Sequence, residues 1–338
     1  AETILVGDVN NDGIDDLVIA DILTDSSKNP PVAPLTNGNK RELNGAVYII
    51  HGGNLGAAVD PAADSNAIIM RNNGADIFQA YGLTLGDFNG DDKKDLALGA
   101  PGEDNTSPAL SKTGHVYLIM GGTALTGNVD IDSAANVVMT GGLVNDQIGS
   151  TLATGDINGD GIDDMVIGAP LSGWGQSGTT GKGKVQVVYG SASLNGSMDL
   201  IDDSDINLQL SDNAARIGFK TGMEILAADV NSDTVADLVI ASPNAFTKSG
   251  TNGWVHVVYG GSSLKSSYDL DIDADIAVIA PEPESKDPLS KGRMGQKMAI
   301  GDLDNDGKPD LALGAPWGSG NNNFVGSGWF GVISDPAG

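Results

Sequence analysis

The nine residues DINGDGIDD, positions 156–164, decide the fold of this 338-residue chain. Side chains that carry oxygen atoms stand at positions one, three, five and nine of the stretch. The same template, Asp-x-Asn/Asp-x-Asp-x-x-x-Asp, returns as DVNNDGIDD from Asp8, DFNGDDKKD from Asp87, DVNSDTVAD from Asp229 and DLDNDGKPD from Asp302. The five copies begin 79, 69, 73 and 73 residues apart. A period of this length indicates a protein built from repeated supersecondary units.

Around each loop the same order of short apolar runs returns. One run precedes the loop (such as LATGD), a second follows it (such as DMVIGAP), and a third is rich in Val, Tyr and Ile (such as GHVYLIMGG). A fourth run, NAIIM, NVVMT, INLQL or IAVIA, follows an acidic spacer in the first four units. Short runs of this composition between Gly, Asn and Asp predict four strands per unit.

Repeated four-strand units predict an all-β fold, a β-propeller of four-stranded antiparallel blades. Five repeats are visible, and the last lacks its fourth strand because the chain stops after the third. We predict one domain, residues 1–338, with repeats at about 1–72, 73–141, 142–211, 212–281 and 282–338. A linear solenoid is the competing arrangement, although a period near 70 is long for a solenoid turn. Five closed blades and a piece of a larger protein both remain open.

The loops predict metal sites. Oxygen ligands at positions one, three, five and nine, with the backbone carbonyl of position seven, suit Ca²⁺, which accepts six to eight oxygens in forgiving geometry. We expect about five structural calcium ions. The predicted ligands are Asp8, Asn10, Asp12, Ile14 and Asp16; Asp87, Asn89, Asp91, Lys93 and Asp95; Asp156, Asn158, Asp160, Ile162 and Asp164; Asp229, Asn231, Asp233, Val235 and Asp237; Asp302, Asp304, Asp306, Lys308 and Asp310.

Position six of such a loop needs a positive φ, which glycine adopts without strain. Glycine stands there in three loops and Asp92 in the second, but Thr234 stands in the fourth. A β-branched residue is costly in this conformation, so we expect the fourth site to be the weakest or most distorted. An EF-hand is excluded, because it needs Glu at position twelve and these loops have Ile or Leu there.

The sequence resembles the FG-GAP repeat family, the propeller of integrin α-subunit heads and of bacterial extracellular proteins. Three Gly-Ala-Pro triplets after the loops carry the resemblance, at 99–101, 168–170 and 314–316, with Ala-Ser-Pro at 241–243 as a variant. Ile148-Gly149 and Met294-Gly295 stand where the family has Phe-Gly. The resemblance implies that calcium loops join the first and second strands on one face, and that a protein or carbohydrate ligand binds the opposite face.

Loop residues on that opposite face are the candidate ligand contacts. Trp174 and Trp317 offer flat apolar faces with a polar tip, although each could equally pack on a neighbouring loop. Lys40 and Arg41 bring scarce positive charge to the longest loop. Trp254 and Trp329 lie in third strands, where a place in the core is expected.

Composition limits the partners. The chain has 18 Lys and Arg against 45 Asp and Glu, a net charge of −27, and this field repels nucleic acid. No apolar run is long enough to insert in a membrane. There is no cysteine, and no signal peptide precedes Ala1. We expect a secreted or cell-surface protein.

The function that the sequence favours is a calcium-binding ligand-binding or adhesion module that is not itself an enzyme. His51, His115 and His256 occupy different registers of the third strand, and no catalytic motif accompanies them. Two alternatives remain. One is an accessory propeller of a larger secreted hydrolase, as in phospholipases, and the other is a structural subunit that self-assembles through its unfinished last unit.

Overall fold

A computed structural model gives the arrangement of most of the chain. The residues that it describes are 3–21, 45–53, 58–71, 78–106, 109–122, 125–173, 181–211, 219–247, 250–251, 253–279, 293–316, 329–334 and 336. The chain divides into two compact units. The first combines Ala1–Leu152 with Gly190–Asp203, and the second combines Ala153–Tyr189 with Ser204–Gly338. The single domain expected from the sequence stays a prediction.

The first unit contains the two sheets of the first two repeats. Sheet 1 consists of β1 (Thr3–Gly7), β2 (Asp16–Asp21), β3 (Ala46–Ile50) and β4 (Ala67–Met70), with α1 (Pro61–Asp64) between the last two. Sheet 2 consists of β5 (Gly82–Gly86), β6 (Asp95–Ala100), β9 (His115–Ile119) and β11 (Val137–Thr140). The hairpin β7 (Asn105–Thr106) with β8 (Ala109–Leu110), the strand β10 (Gly127–Asp130) and α2 (Ile131–Ala134) lie between these strands in sequence.

The second unit contains three sheets, apart from the first two residues of β12. Sheet 3 consists of β12 (Thr151–Gly155), β13 (Asp164–Ala169), β14 (Lys184–Val188) and β16 (Ile206–Gln209). Sheet 4 consists of β17 (Ile225–Ala228), β18 (Asp237–Ser242), β21 (Trp254–Val258) and β23 (Ile276–Ile279), and the hairpin β19 (Phe246–Thr247) with β20 (Gly250–Thr251) joins its middle strands. Sheet 5 consists of β24 (Lys297–Gly301), β25 (Asp310–Ala315) and β26 (Trp329–Ile333).

The structure confirms an all-β fold whose sheets have the predicted strand content. In sheets 1, 2 and 4, successive strands of each repeat pair antiparallel. Sheet 5 has three strands among the residues that are described, as the sequence predicted for the last repeat. The four strands of each of the other sheets come from within one predicted repeat.

Three sheets carry a fifth strand that the sequence reading missed. The strand β10 adds in parallel to β4 of the preceding repeat. In the same way β15 (Gly196–Asp199) adds to β11, and β22 (Ser267–Asp269) adds to β16. These strands lie in the acidic spacers, and three or four residues are too few to show a period of two. Each of these three spacers therefore makes main-chain hydrogen bonds to the sheet of the preceding repeat, and the next strand then joins the sheet of its own repeat.

Aspartate ends each added strand and starts a short turn. Asp130 and Asp269 are the N-caps of α2 and of α3 (Leu270–Asp273), where each side chain accepts a hydrogen bond from the backbone N–H two residues on. Asp199 does the same for the N–H of Ile201. The acidity of the spacers thus has a local structural cause, since aspartate is a favoured cap.

The core lies between successive sheets. All six residues of β6, β13 and β18 are buried, and this means that both faces of these middle strands are covered. One core cluster joins sheets 1 and 2, another joins sheets 3 and 4, and a third joins sheets 4 and 5. The near-continuous apolar runs that follow the loops are explained by this two-sided burial.

Strand β21 holds two polar aromatic side chains in the core. Trp254 is buried, which confirms its predicted place, and its ring makes an edge contact with His256. His256 is 1% exposed. Burial lowers the pKa of His256 to about 4, although the carboxylates of Asp271 and Asp269 oppose the shift.

This buried histidine predicts a loss of stability in acid. Its pKa is depressed in the folded state, so the unfolded chain binds the proton first and stability falls as the pH drops from about 6.5 towards 4. We expect His256 to account for a loss of ~2 to 3 kcal/mol in unfolding free energy between about pH 7 and about pH 4.5. Urea denaturation of the wild type and of His256→Gln at both pH values measures it. Equal losses in the two proteins would contradict the assignment.

Candidate metal centres

The third loop wraps around its own side-chain oxygens. Asp156 accepts hydrogen bonds from the backbone N–H of Asp160 on Oδ1 (3.0 Å) and of Gly161 on Oδ2 (2.8 Å). Asn158 Oδ1 accepts from the same Asp160 N–H at 2.8 Å. Asp160 Oδ1 accepts from the N–H of Ile162 at 2.9 Å. Positions one, three and five therefore turn their oxygens to the inside of the loop.

The other four loops repeat this arrangement bond for bond. The N–H of position six donates to the position-one carboxylate at 2.8 Å in the first loop, 2.7 Å in the second, 2.8 Å in the fourth and 3.0 Å in the fifth. The N–H of position seven donates to the position-five carboxylate in each. Five loops of different sequence thus share one hydrogen-bonded form.

The ninth-position aspartate ties the loop to the sheet. All five of these residues are buried: Asp16, Asp95, Asp164, Asp237 and Asp310. One carboxylate oxygen accepts the N–H of position two in each loop, at 2.7 to 3.1 Å. In the first, second and fourth loops the other oxygen accepts the N–H of a glycine after the third strand, which is Gly52, Gly121 or Gly260, at 2.7 to 2.8 Å. These three loops are therefore held against three strands of their sheets.

Close approach explains why glycine stands after the third strand. A Cβ at Gly52 would lie 2.1 Å from the carbonyl oxygen of Asp15, and at Gly121 it would lie 2.2 Å from that of Lys94. Any larger residue would push the third strand away from the loop. The sequence analysis drew no inference from these glycines, because the contact that requires them is with a distant part of the chain.

Positive φ occurs twice in every loop. Position six has φ between 62° and 90°, as expected, and Thr234 adopts 77°. Position four is also positive and is filled by Asn, Gly or Ser, with φ between 61° and 77°. The fourth loop keeps the hydrogen-bond lengths of the others. The fourth loop therefore keeps the shape of the others, and any cost of Thr234 is borne as local backbone strain. Weaker ion binding at this loop stays a prediction.

The loops bring carboxylates close together. In the fifth loop, oxygens of Asp302, Asp304 and Asp310 lie within 4.8 Å of one another. The other four loops have asparagine at position three, so an amide oxygen replaces the middle carboxylate. Burial raises the pKa of Asp95 and of Asp237, and the carboxylates at positions one and five of the same loops raise it further. An oxygen-rich, negatively charged loop of this kind fits a hard divalent cation.

The ligand contacts predicted from the sequence are not among the described residues. Trp174, Trp317, Lys40 and Arg41 all lie outside the described residues. Trp329 lies in β26. None of the four ligand predictions is therefore tested.

A buried charged cluster lies near the end of β4, the end of β6 and the start of β9. It lies at the opposite end of β6 from the acidic loop of sheet 2. The guanidinium of Arg71 contacts Glu103 at 3.1 Å and Asp132 at 2.8 Å. The Tyr117 hydroxyl donates to Glu103 and accepts from Arg71. His115 Nδ1 lies 3.2 Å from the same Glu103 carboxylate. The cluster joins the end of sheet 1 to sheet 2 and was not foreseen, because its members are spread over 61 residues.

Comparison with known proteins identifies the repeat. The FG-GAP repeat matches residues 80–119, 148–188 and 294–330, which contain the second, third and fifth loops. The first and fourth loops lie outside these matches but have the same hydrogen bonds. No described helix is long and apolar enough to cross a membrane.

Relatives of two kinds share the repeat region. Human phosphatidylinositol-glycan-specific phospholipase D is 36% identical over 196 residues, which are 57% of this chain and 22% of that protein. Integrin alpha-5 of Xenopus laevis is 26% identical over 176 residues, 50% of this chain and 14% of that protein. Integrin alpha-PS2 of Drosophila melanogaster is 29% identical over 126 residues, 35% of this chain and 8% of that protein. The chain thus spans about a fifth or less of the length of these relatives.

Solved structures give a weaker match. A rhamnogalacturonan lyase of Bacillus licheniformis superposes with a TM-score of 0.42 and 11% identity, over 91% of this chain and 57% of that one. This degree of likeness carries no argument about function.

The strain at Thr234 gives a testable prediction. Replacement by glycine removes the cost of a β-branched residue at positive φ, ~1 to 2 kcal/mol, and part of the gain is offset by the greater freedom of glycine in the unfolded chain. We expect Thr234→Gly to raise the free energy of unfolding by up to ~1 kcal/mol. The matched change Gly161→Thr should lower it, and chemical denaturation measures both. A stabilising Gly161→Thr would contradict the reasoning.

Proposed function

We propose that this chain, which carries FG-GAP repeats, is an extracellular calcium-stabilised β-propeller that serves as a ligand-binding or adhesion module. The observation that carries the proposal is the single hydrogen-bonded form of the five acidic loops. Sequence variation at every x position leaves this form unchanged, which favours a common requirement at the oxygen-bearing positions.

Calcium suits the loops better than other ions. The ligand set is carboxylate, amide and carbonyl oxygen, without the nitrogen and sulfur that zinc prefers. The loop backbone can adjust its oxygens, whereas Mg²⁺ demands a near-ideal octahedron and keeps several waters. Five ions would reduce the net charge of −27 to about −17. The ions would be structural, since each loop joins two strands, and in the first, second and fourth loops the buried aspartate also binds the backbone after a third strand.

A radial arrangement of the sheets is part of the proposal. Middle strands with both faces buried, and core clusters that join successive sheets, support the stacking that a propeller needs. The number of blades stays a prediction, and so does the domain extent 1–338.

The end of each sheet away from the calcium loop is the proposed ligand-binding end. The polar contacts there differ from sheet to sheet. They are the Arg71 cluster in sheet 2, the Lys182 ammonium bound to the Leu210 carbonyl in sheet 3, and the Ser242 hydroxyl bound to Thr221 in sheet 4. Sheets that carry the same acidic loop at one end and different polar contacts at the other end suit recognition of a protein or carbohydrate ligand. Trp174, Trp317, Lys40 and Arg41 keep their proposed role as contacts.

Two of the three described histidines, His115 and His256, support a chain that does no chemistry by itself. His256 is enclosed in the core. His115 faces Glu103, but that carboxylate also binds Arg71 and Tyr117 within the buried cluster. The Glu103-His115 pair is therefore part of the contact between sheets 1 and 2.

Removal of calcium tests the structural role of the ions. Ligands that bind only the folded state stabilise it by ~2.7 kcal/mol per site at a hundredfold excess over Kd. We expect a chelator to lower the Tm by about 10 °C or more. Scanning calorimetry with calcium, with chelator and with magnesium measures the effect, and magnesium should restore less than calcium.

A charge-matched pair of variants makes this test specific. Asp160→Ala removes a predicted ligand, and Asp202→Ala removes an exposed carboxylate outside the loops. The first should weaken the calcium-dependent stabilisation and the second should leave it unchanged. A Tm that calcium does not alter would overturn the proposal.

The rival function is an accessory part of a larger secreted hydrolase. It is favoured by the 36% identity to a phospholipase D over 196 residues. Under either function the purified chain should not release a protein from its phosphatidylinositol-glycan anchor, because the match lies in the repeat region. Incubation of anchored protein with the calcium-loaded chain measures release. Release above background would show that the chain is itself a hydrolase.

A further inference from the structure

The third and fourth acidic loops are joined to each other by backbone hydrogen bonds. The N–H of Ala236, position eight of the fourth loop, donates to the carbonyl oxygen of Asp156, position one of the third loop, at 2.9 Å. The N–H of Gly261, which lies after the third strand of sheet 4, donates to the carbonyl oxygen of Ile157 at 2.8 Å. Both loops and this glycine belong to the second compact unit. The two loops are therefore in direct contact.

These bonds continue to ligand carboxylates in both loops. The N–H of Ile157 donates to Asp164, the ninth-position aspartate of the third loop, at 2.8 Å. Gly260, the neighbour of Gly261, donates its N–H to Asp237, the ninth-position aspartate of the fourth loop, at 2.8 Å. A continuous path of hydrogen bonds thus runs from one buried aspartate to the other through Ile157 and the two glycines.

Close packing fills the space between the two loops. A Cβ at Gly260 would lie 2.3 Å from the carbonyl oxygen of Ala236 and 2.8 Å from that of Ile157. A Cβ at Gly159, position four of the third loop, would lie 3.3 Å from a methyl carbon of Val235, position seven of the fourth loop. Because Gly260 leaves no room between the two backbones, a displacement of one loop here displaces the other.

We infer that the third and fourth loops form one paired metal-binding unit, in which an ion in either loop raises the affinity of the other loop for its ion. The inference rests on the proposed binding of calcium and adds that these two sites are not independent. Coupling of this kind is reciprocal, so each ion must raise the affinity at the other loop by the same factor.

The cause of the coupling is backbone order that the two loops share. An ion in the third loop would fix the backbone at Asp156 and Ile157, whose carbonyl oxygens accept the two bonds between the loops. Ala236, which donates one of these bonds, stands between Val235 and Asp237, two predicted ligands of the fourth loop. Part of the entropy that the fourth loop loses on binding is then lost already, and its own ion binds at a lower cost.

Repulsion between the two ions opposes this effect. Each loop carries three predicted ligand carboxylates, so a divalent ion leaves its own loop negative and the neighbouring loop still attracts a cation. Positions four to six of both loops are exposed to solvent, where salt at physiological concentration screens repulsion beyond about 8 Å. Hydrogen bonds between the loops are not screened in this way. We therefore expect net positive coupling, by about 5-fold in affinity or more.

Hydrogen exchange measured by mass spectrometry during a calcium titration tests the inference, because the peptide that covers each loop reports the midpoint of that loop alone. Asp160→Ala removes a ligand of the third loop and should raise the calcium midpoint of the fourth-loop peptide, residues 229–237, by about 5-fold or more. Asp233→Ala removes the equivalent ligand of the fourth loop and should raise the midpoint of the third-loop peptide, residues 156–164, by the same factor. In each variant the intact loop still binds its ion, but at a higher calcium concentration.

Asp163→Ala is the matched control. It removes the same charge from the third loop at position eight, which holds no predicted ligand and is alanine in the fourth loop. It should leave the fourth-loop midpoint unchanged, and an equal shift in this variant would overturn the inference, because charge alone would then explain the effect.

The two ligand variants separate coupling from local damage. Midpoints that stay unchanged in the intact loop would overturn the inference and leave calcium binding itself in place. A shift in one direction only would also overturn it, because a structural lesion need not be reciprocal and a coupling must be. If calcium alters the exchange of neither loop in the wild type, the proposed calcium binding fails and the inference fails with it.

Discussion

The structure depends on oxygen atoms of like charge that each loop holds close together. Backbone N–H groups fix the carboxylates at positions one and five, and the buried aspartate at position nine is fixed by two further N–H groups, as at Asp95. These bonds orient the oxygens but do not neutralise them, and the raised pKa of Asp95 reflects burial together with the remaining repulsion. A divalent cation is the simplest counter-charge for this geometry. The first three strands of a sheet would then be joined through one ion.

Sequence reasoning found the parts that are encoded locally. The loop template, the strand order and the buried place of Trp254 all follow from short-range spacing and composition, and the structure agrees with them. It failed where the determinant is a distant contact. The parallel strands β10, β15 and β22 gain their partners from another repeat. In the first repeat, Gly52 after the third strand is required by the carbonyl oxygen of Asp15, about 37 residues earlier. At Thr234 the fourth loop keeps the shape of the others, because the shared hydrogen bonds impose one loop shape and leave the strain in the residue. That the fourth site is the weakest stays a prediction.

The added strands change how the sheets are connected. Each parallel strand forms main-chain hydrogen bonds with the sheet of the preceding repeat. In the first of them the N–H of Gly127 donates to the carbonyl oxygen of Asn66 at 2.7 Å. Among the described residues, sheets 1 and 2 are thus joined by the hydrogen bonds of β10 and by apolar contacts, and sheets 3 and 4 are joined in the same way through β22. Stability in such an array comes from interfaces between neighbours. The candidate ligand residues could not be placed in this way, because loops that differ in every repeat carry no pattern to read.

The count of bound ions is the most direct test of the account. Native mass spectrometry of the purified chain, loaded with calcium and freed of excess, reports the number of ions that each folded molecule retains. We expect the wild type to retain about five calcium ions, and about four when one loop loses its position-one aspartate, as in Asp156→Ala. A folded chain that retains none, at calcium concentrations typical of extracellular sites, would contradict it.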